Sequence, residues 1–233
     1  MPISHSLDLE RDSSQYSSRA DTATLSPTGD FTIECWVKVE SAPGADETRN
    51  IISKWNDGAS KKSYWLFYIN DAGTPKIFFR TSADGSAVTT STWTTTLTAG
   101  VWYHLAVAYD ATANDAELFI DTVSQGAVAA ADSIHDNDSV FEVGVITSLG
   151  NNFWDGLLNS VRLWGDFRTS TEIANNWKTS TPTGDNLSGS WYYNEDHNDD
   201  SANGNNLTAS GSPTFTTDIP YQEAGGRSYG FFM

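Results

Sequence analysis

The sequence predicts an all-β fold of antiparallel strands, arranged as a sandwich or a barrel, with one short helix. Short runs of alternating apolar and polar residues, rich in β-branched and aromatic types, recur between clusters of Gly, Asn, Asp and Pro. Only one segment has helical periodicity. With 233 residues, 38% hydrophobic, and nine Trp, the chain has the length and apolar material for one such domain.

The predicted strands are the segments that alternate most clearly: residues 31–39, 64–69, 76–81, 102–109, 116–120, 141–145 and 157–164. Turn sequences lie between several of them, at residues 70–73, 83–85 and 113–115. Asn, Asp and Gly in these turns tolerate the backbone angles of tight hairpins. Such short connections predict mostly antiparallel neighbours.

The predicted helix covers residues 170–177. Thr169 and Glu172 have the spacing of a capping box, and Ile173 and Trp177 lie on one face, four residues apart. A polar segment follows, and residues 190–193 are again apolar and aromatic. We expect these four residues to return to the sandwich as a strand, because the short remainder of the chain could not support a core alone.

Charge and cysteine content exclude several functions. The formal net charge of −17 repels polyanions, so we expect no nucleic-acid partner. No apolar run reaches the ~18 residues of a membrane span, so we expect no membrane insertion, and residues 1–20 lack the basic and apolar parts of a secretion signal. The single cysteine, Cys35, cannot form an intrachain disulfide, and its place in an alternating strand predicts a small buried side chain.

Five segments, in order along the chain, resemble the laminin G-like jelly rolls of the concanavalin A-like group. The most specific is Gly-Val-Trp-Tyr-His-Leu-Ala-Val-Ala-Tyr-Asp at residues 100–110, and the others are residues 29–38, 50–55 with 63–66, 153–164 and 191–207. The resemblance implies an antiparallel two-sheet β-sandwich over residues 1–222 and leaves residues 223–233 as a C-terminal arm rich in Gly and aromatics. It does not decide the function, because this fold carries lectins, glycosidases, adhesion modules and structural proteins.

The sequence contains no recognisable catalytic motif, and we therefore expect a protein that is not an enzyme. Glucanases that share this fold supply their two catalytic carboxylates from one strand with the motif Glu-x-Asp-x-x-Glu, which is absent here. Glu34 with Glu40, and Glu117 with Asp121, have a different spacing. No Gly-x-Ser-x-Gly elbow and no phosphate-binding glycine loop occurs. His104 is predicted to pack within a strand.

Calcium is the only cofactor for which the sequence offers candidates, and no cofactor at all is the alternative. Asp199, Ser201 and Asn203 resemble the start of an oxygen-rich calcium loop. An ordinary turn explains the same residues, because no Glu follows where an EF-hand requires one. Asn159 stands where the resemblance predicts an acid, which weakens any calcium site transferred from the family.

Sugar binding would use an aromatic ring to stack on the pyranose and nearby amides or acids to bind its hydroxyls. Two groups near predicted loops have this composition: Trp55 with Asp57, and Trp154 with Asn152 and Asp155. Packing of both tryptophans in the core is the alternative, since other tryptophans of the chain already lie in predicted strands.

Two functions remain open on this basis. The first is a structural or accessory protein, of the decoration type, on a virion or another extracellular assembly. It is suggested by an initiator Met directly before the domain, the acidic composition and the tail residues Tyr229, Phe231 and Phe232, which we expect to contact other chains of a homo-oligomer. The second is a carbohydrate-binding, lectin-like adhesion module with surface glycans as partners. Either function predicts an extracellular or virion-surface location, reached without an encoded signal peptide.

Overall fold

The computed structural model describes residues 2–58, 60–150 and 152–223. These residues form one α-helix, α1 (Ser170–Asn176), three single-turn 3₁₀ helices, η1 (Arg11–Ser13), η2 (Ala23–Leu25) and η3 (Thr147–Leu149), and fifteen strands. The strands are β1 (Ser6–Leu9), β2 (Tyr16–Arg19), β3 (Phe31–Val39), β4 (Thr48–Asn56), β5 (Lys61–Asp71), β6 (Thr74–Thr81), β7 (Thr89–Thr94), β8 (Tyr103–Asp110), β9 (Asp115–Ile120), β10 (Val123–Ala129), β11 (Phe141–Val143), β12 (Gly156–Trp164), β13 (Leu187–Trp191), β14 (Thr208–Ser210) and β15 (Thr214–Thr216).

The strands form two sheets that face each other as a β-sandwich. The first sheet has the order β10-β9-β8-β3-β12-β1-β15, with β13 also paired to β12. The second has the order β14-β2-β11-β4-β5-β6-β7. Every pairing is antiparallel. The predicted two-sheet antiparallel sandwich is confirmed.

Local sequence explains where strands turn. The β5–β6 hairpin has a two-residue loop in which Ala72 and Gly73 have φ angles of 49° and 85°, as the preferred hairpin turns require. Thr169 and Glu172 form the predicted capping box at the start of α1. The exposed strand β10 has no alternating pattern, because none of its residues is buried, and the sequence therefore does not predict it.

The main core lies between the sheets. The rings of Tyr64 and Tyr109 both pack there against Phe31, each with its centroid 5.2 Å from the Phe31 centroid. Cys35 is buried among them, as predicted, and burial raises the pKa of its thiol well above the ordinary value. The thiol is therefore an inert part of the core.

Both sheets also carry packed side chains on their outer faces. On the first sheet, Trp36 stacks on Trp177 from the end of α1, and Tyr221 packs against the same indole. On the second sheet, Trp55, Trp65 and Phe67 form a separate cluster. Among the described residues, no helix combines the length and apolarity needed to cross a bilayer.

Candidate functional site

A charged cluster lies buried on the outer face of the first sheet and contains one of the acids considered for catalysis. His104 Nε2 lies 3.2 Å from Glu34 Oε2, and Arg162 Nη1 lies 3.7 Å from the same oxygen. The indole N–H of Trp164 donates to Glu34 Oε1 at 2.7 Å. Burial opposes ionisation of Glu34, but the hydrogen bond from His104 and the charge of Arg162 outweigh it and lower the pKa of this carboxyl.

This cluster is closed to solvent. Arg162 Nη1 donates to the carbonyl of Asn176 in α1 at 2.8 Å, and the Trp36 indole donates to the carbonyl of Trp177 at 2.8 Å. The side chain of Glu34 has no exposed surface. It cannot reach a substrate, and the geometry shows an ion cluster that fastens the helix to the sheet.

The two predicted stacking tryptophans are corrected by the structure. Trp154 is completely buried in the main core, and Trp55 is 3% exposed within the second sheet's outer cluster, with its ring centroid 5.8 Å from that of Trp65. A sugar needs an open ring face, and neither side chain presents one. Their alternation with polar neighbours indicates inward packing as readily as exposure, which is why the sequence alone left both readings open.

The polar residues of these two groups also lie apart. Asp57 follows the end of β4 and pairs with Lys62 at 3.3 Å. The backbone carbonyl of Asn152 accepts a hydrogen bond of 3.3 Å from the backbone N–H of Asn50, near the other end of β4. The carboxylate of Asp155 accepts a hydrogen bond of 2.8 Å from the Ser41 hydroxyl. Seven residues of strand separate the two groups by roughly 20 Å. They do not form one site.

The predicted calcium loop is a hydrogen-bonded clasp. Asp199 Oδ1 accepts from the backbone N–H groups of Ser190 and Ser201, both at 2.9 Å. Its Oδ2 accepts from the Ser201 hydroxyl and the Asn205 backbone N–H, both at 2.8 Å. A carboxylate offers about four acceptor positions, so these four donors use its capacity. A calcium ion held by Asp199, Ser201 and Asn203, as the sequence suggests, would have to displace these bonds.

The clasp supports a wall of an open cleft. Asn203 Nδ2 donates to the Leu187 carbonyl at 2.8 Å, and Asn205 Nδ2 donates to the Ser188 carbonyl and the Thr24 hydroxyl, both at 2.9 Å. These bonds tie the loop after β13 to the first two residues of β13 and to η2. Asn205 itself is 1% exposed, which makes it a fixed part of the wall.

The cleft lies at the end of the sandwich where β3 begins and β12 ends. It consists of two adjoining hollows of about 520 and 370 Å³ that share Thr24, Gly165 and Ser188. We call it the polar cleft, and its remaining lining residues are Ala23, Ser26, Pro27, Thr28, Gly29, Asp30, Asp166, Asn186, Leu187 and Asn203. Hydroxyls, amides and carboxylates dominate this lining, and none of the described residues that form it is aromatic.

Two carboxylates, those of Asp30 and Asp166, line the polar cleft. Asp30 accepts a hydrogen bond from the Ala111 backbone N–H at 2.9 Å. Burial raises the pKa of Asp166, the charge of Arg168, 3.6 Å away, partly counteracts this shift, and Glu172 adds to it. The hydroxyl and amide side chains of the lining can donate hydrogen bonds and its carboxylates can accept them, so the cleft offers both kinds of partner to a hydroxyl-rich ligand.

The sequence gives no signal for this cleft. Its walls come from four separate segments, at residues 23–30, 165–166, 186–188 and 203. Each segment reads as an ordinary polar turn, and only the folded chain brings them together.

An acidic group lies at the opposite end of the sandwich. Asp8, Glu10 and Glu40 place carboxylate oxygens within 4.8 Å of one another, close enough to share an ion. Burial raises the pKa of Glu40, and the charges of Glu10, Asp8 and Asp155 raise it further. The negative charges of these three carboxylates therefore repel one another.

Comparison with known proteins places the chain in a family. A laminin G model, described as the concanavalin A-like lectin/glucanases superfamily, matches residues 11–174, which is more than half of the chain. The chain belongs to this superfamily. None of the curated proteins compared with it matches its sequence.

Solved structures share the superfamily's fold with this chain. A proposed carbohydrate-binding protein from Bacteroides ovatus is 18% identical, with a TM-score of 0.70; the match covers 93% of this chain and 60% of that one. A heptameric SAP-like pentraxin from Limulus polyphemus is 14% identical, with a TM-score of 0.57, over 92% and 88% of the two chains. The binding domain of Paraclostridial Mosquitocidal Protein 1 is 11% identical, with a TM-score of 0.51, over 67% and 39%. The chain thus spans less than two thirds of the length of the Bacteroides protein.

Proposed function

We propose that this chain is a non-catalytic binding module that binds a glycan in the polar cleft. The observation that carries the proposal is the cleft itself, an open hollow lined by hydroxyl, amide and carboxylate side chains on a rigid sandwich. Such a lining suits the hydroxyls of a sugar, which need several convergent hydrogen-bond partners. Names given to structurally similar proteins, among them a proposed carbohydrate-binding protein and the binding domain of a mosquitocidal protein, support the same class of function.

The absence of stacking aromatics limits the expected affinity. Each hydrogen bond to a solvated hydroxyl contributes little net free energy, because water is displaced from both partners. We therefore expect dissociation constants in the millimolar to micromolar range.

A non-catalytic role fits the arrangement of the acids. Glu34 is buried under α1, and Glu40, the second acid of that candidate pair, is exposed at the end of β3. Within the polar cleft, Asp30 is engaged by a backbone N–H. Hydrolysis of a polysaccharide that disappears in Asp166→Asn would overturn this part of the proposal.

The binding test uses a cleft-filling substitution. Thr28 is exposed, and among the described residues its side chain makes no hydrogen bond, so Thr28→Trp fills the cleft without removing a structural contact. Its matched control is Thr74→Trp, which adds the same bulk at the exposed start of β6. A glycan array with wild type should identify a ligand, and isothermal titration should show at least tenfold weaker binding for Thr28→Trp only. An array without binding, or equal loss in both variants, would reject the polar cleft as the site.

A structural role in an assembly is the second candidate, and β10 favours it. None of this strand's residues is buried, it ends the first sheet, and Val123 is 63% exposed. An exposed edge strand can pair with another chain, although the Trp93 indole and the Ser91 hydroxyl already bind carbonyls of Gly126 and Ala129 at one side.

We propose, on the same basis, a homo-oligomer on a virion or another extracellular surface as the alternative. The tail residues Tyr229, Phe231 and Phe232, expected to contact other chains, lie outside the described residues. Light scattering of the purified protein tests the assembly: a concentration-independent monomer would reject it, and an oligomer that dissociates in Val123→Lys would support it.

A further inference from the structure

The outer face of the second sheet carries an arginine stacked on two aromatic rings. Arg80 lies beside Trp65 on β5, and its guanidinium carbon is 5.2 Å from the ring centroids of both Trp65 and Phe67. The two rings are themselves stacked, with centroids 4.1 Å apart, and both are at least 98% buried. Cation–π contact with two fixed rings holds the guanidinium in one place.

This arginine has no acidic partner among the described residues. Neighbouring cations on the same sheet are paired: Lys62 lies 3.3 Å from Asp57, and Lys76 lies 2.6 Å from Asp71. For Arg80, no carboxylate lies within 4.0 Å and the side chain makes no hydrogen bond in the described part of the chain. Its Nε is buried without a hydrogen-bond acceptor, whereas its two terminal nitrogens are not buried.

An unpaired, half-buried cation is unusual on a chain with a net charge of −17. Burial removes part of its hydration, which lowers the pKa of the guanidinium, while the charge of Asp57 partly counteracts the shift. An anion that approached its open side would restore the lost solvation and find a fork already oriented for two parallel hydrogen bonds.

The surroundings favour a sugar as the carrier of that anion. Thr90 pairs directly with Arg80 across β6 and β7, and Thr92 pairs with Phe78, so both threonines share the outer face with the guanidinium. Their hydroxyls can accept and donate hydrogen bonds beside the arginine. The overall negative charge opposes a densely charged polyanion, which leaves a ligand with a single, planar carboxylate.

We propose that the outer face of the second sheet binds an acidic sugar, with Arg80 as a bidentate anchor for its carboxylate and the Thr90 and Thr92 side chains beside the sugar ring. This site shares no residue with the polar cleft. The two proposals can therefore fail separately.

Galacturonate and galactose form a matched pair of ligands, because they differ only by the carboxylate at C6. Chemical-shift titrations at low ionic strength should show wild type binding galacturonate at least tenfold more tightly than galactose, with a preference that declines as salt is added. Arg80→Gln should abolish the preference. Lys76→Gln, which removes one charge from the same strand and face, should change it less than twofold, and Thr28→Trp in the polar cleft should leave it intact.

Arg80→Lys keeps a cation and removes the fork, which guards against misfolding of Arg80→Gln. We expect a folded Arg80→Lys protein, judged by its thermal melt, to bind galacturonate at least fivefold more weakly than wild type. Equal binding of galacturonate and galactose by wild type, or unchanged galacturonate binding by Arg80→Lys, would overturn the bidentate site. Acetate that binds as tightly as galacturonate would overturn the assignment of a sugar as its occupant.

Discussion

Replacing Glu34 with Gln removes one charge from the buried cluster under α1 and leaves the shape almost unchanged. The amide oxygen can still accept the hydrogen bond from Trp164, which is 2.7 Å long in the wild type. Arg162, whose side chain is also fully buried, loses the only carboxylate near it among the described residues. The variant therefore isolates the charge interaction from the packing.

The expected cost is large because the surviving charge stays buried. Breaking a buried ion pair by removing one partner costs about 3 to 5 kcal/mol, and the retained Trp164 hydrogen bond places Glu34→Gln near the lower value, about 3 kcal/mol. For a chain of this size, 1 kcal/mol lowers the melting temperature by about 2 to 4 °C, so we expect a decrease of about 6 to 12 °C.

The pH dependence supplies an independent check. The pKa of Glu34 is lowered in the folded state, so its stabilisation is fully present above the ordinary value of 4.5 and is lost as pH falls through the folded-state pKa. The difference between wild type and Glu34→Gln should therefore be largest near pH 7 and shrink below pH 4.5.

Urea denaturation followed by tryptophan fluorescence measures these free energies at each pH. Glu117→Gln, at a partly exposed carboxylate on β9, is the control and should change stability by less than about 0.5 kcal/mol. A double variant with Arg162→Met should be less destabilised than the sum of the single variants, because no uncompensated charge remains. A Glu34→Gln protein as stable as the control, or one whose deficit does not depend on pH, would refute the charge-based account.

Three further predictions concern other parts of the sandwich. Asp199→Ala leaves buried backbone N–H groups of the clasp unpaired and should lower the free energy of unfolding, measured by urea denaturation, by about 3 kcal/mol. A rise in the melting temperature of the wild type on adding calcium would contradict the clasp assignment. Gly156 has a φ of 129°, and a Cβ at this position would lie 2.2 Å from the Lys38 carbonyl oxygen. Gly156→Ala should therefore destabilise the fold by more than about 2 kcal/mol in urea denaturation. Gly29→Ala is the control and should be close to neutral, because a Cβ at Gly29 would have no atom within 4 Å. Glu40→Gln should stabilise the fold by a few tenths of a kcal/mol at pH 7 and low salt, because it removes one of the repelling charges. This gain should vanish at acid pH, where the carboxyl of Glu40, whose pKa is raised, is already protonated. A melting temperature that falls at pH 7 in this variant would contradict repulsion as the cause.

Elements with a strong periodic pattern could be predicted from the sequence. Residues 31–39 form β3, as predicted, because every second side chain of this strand points into the core between the two sheets. The helix begins at Ser170, as its capping box predicts, because that signal is local to the chain. Strands β7 and β10 were not predicted, because one is mostly threonine and the other is exposed along its length.

The roles of the candidate site residues, in contrast, could not be predicted from the sequence. Trp55 and Trp154 lie close to loops in the sequence, yet each is buried, and Asp199 organises a turn with the oxygens expected to bind calcium. Exposure and free lone pairs depend on which side chains arrive from elsewhere in the chain, and composition does not encode them.

The sequence by itself determined the sandwich and its superfamily, because strand periodicity and ordered motifs are properties of the linear chain. Tertiary structure decided where a ligand can bind. Four separate segments meet to form the polar cleft, and strand register places Arg80 over two rings, with no carboxylate of the described residues within 4.0 Å of it. Both arrangements arise from contacts between residues that are distant in sequence, and only folding specifies those contacts.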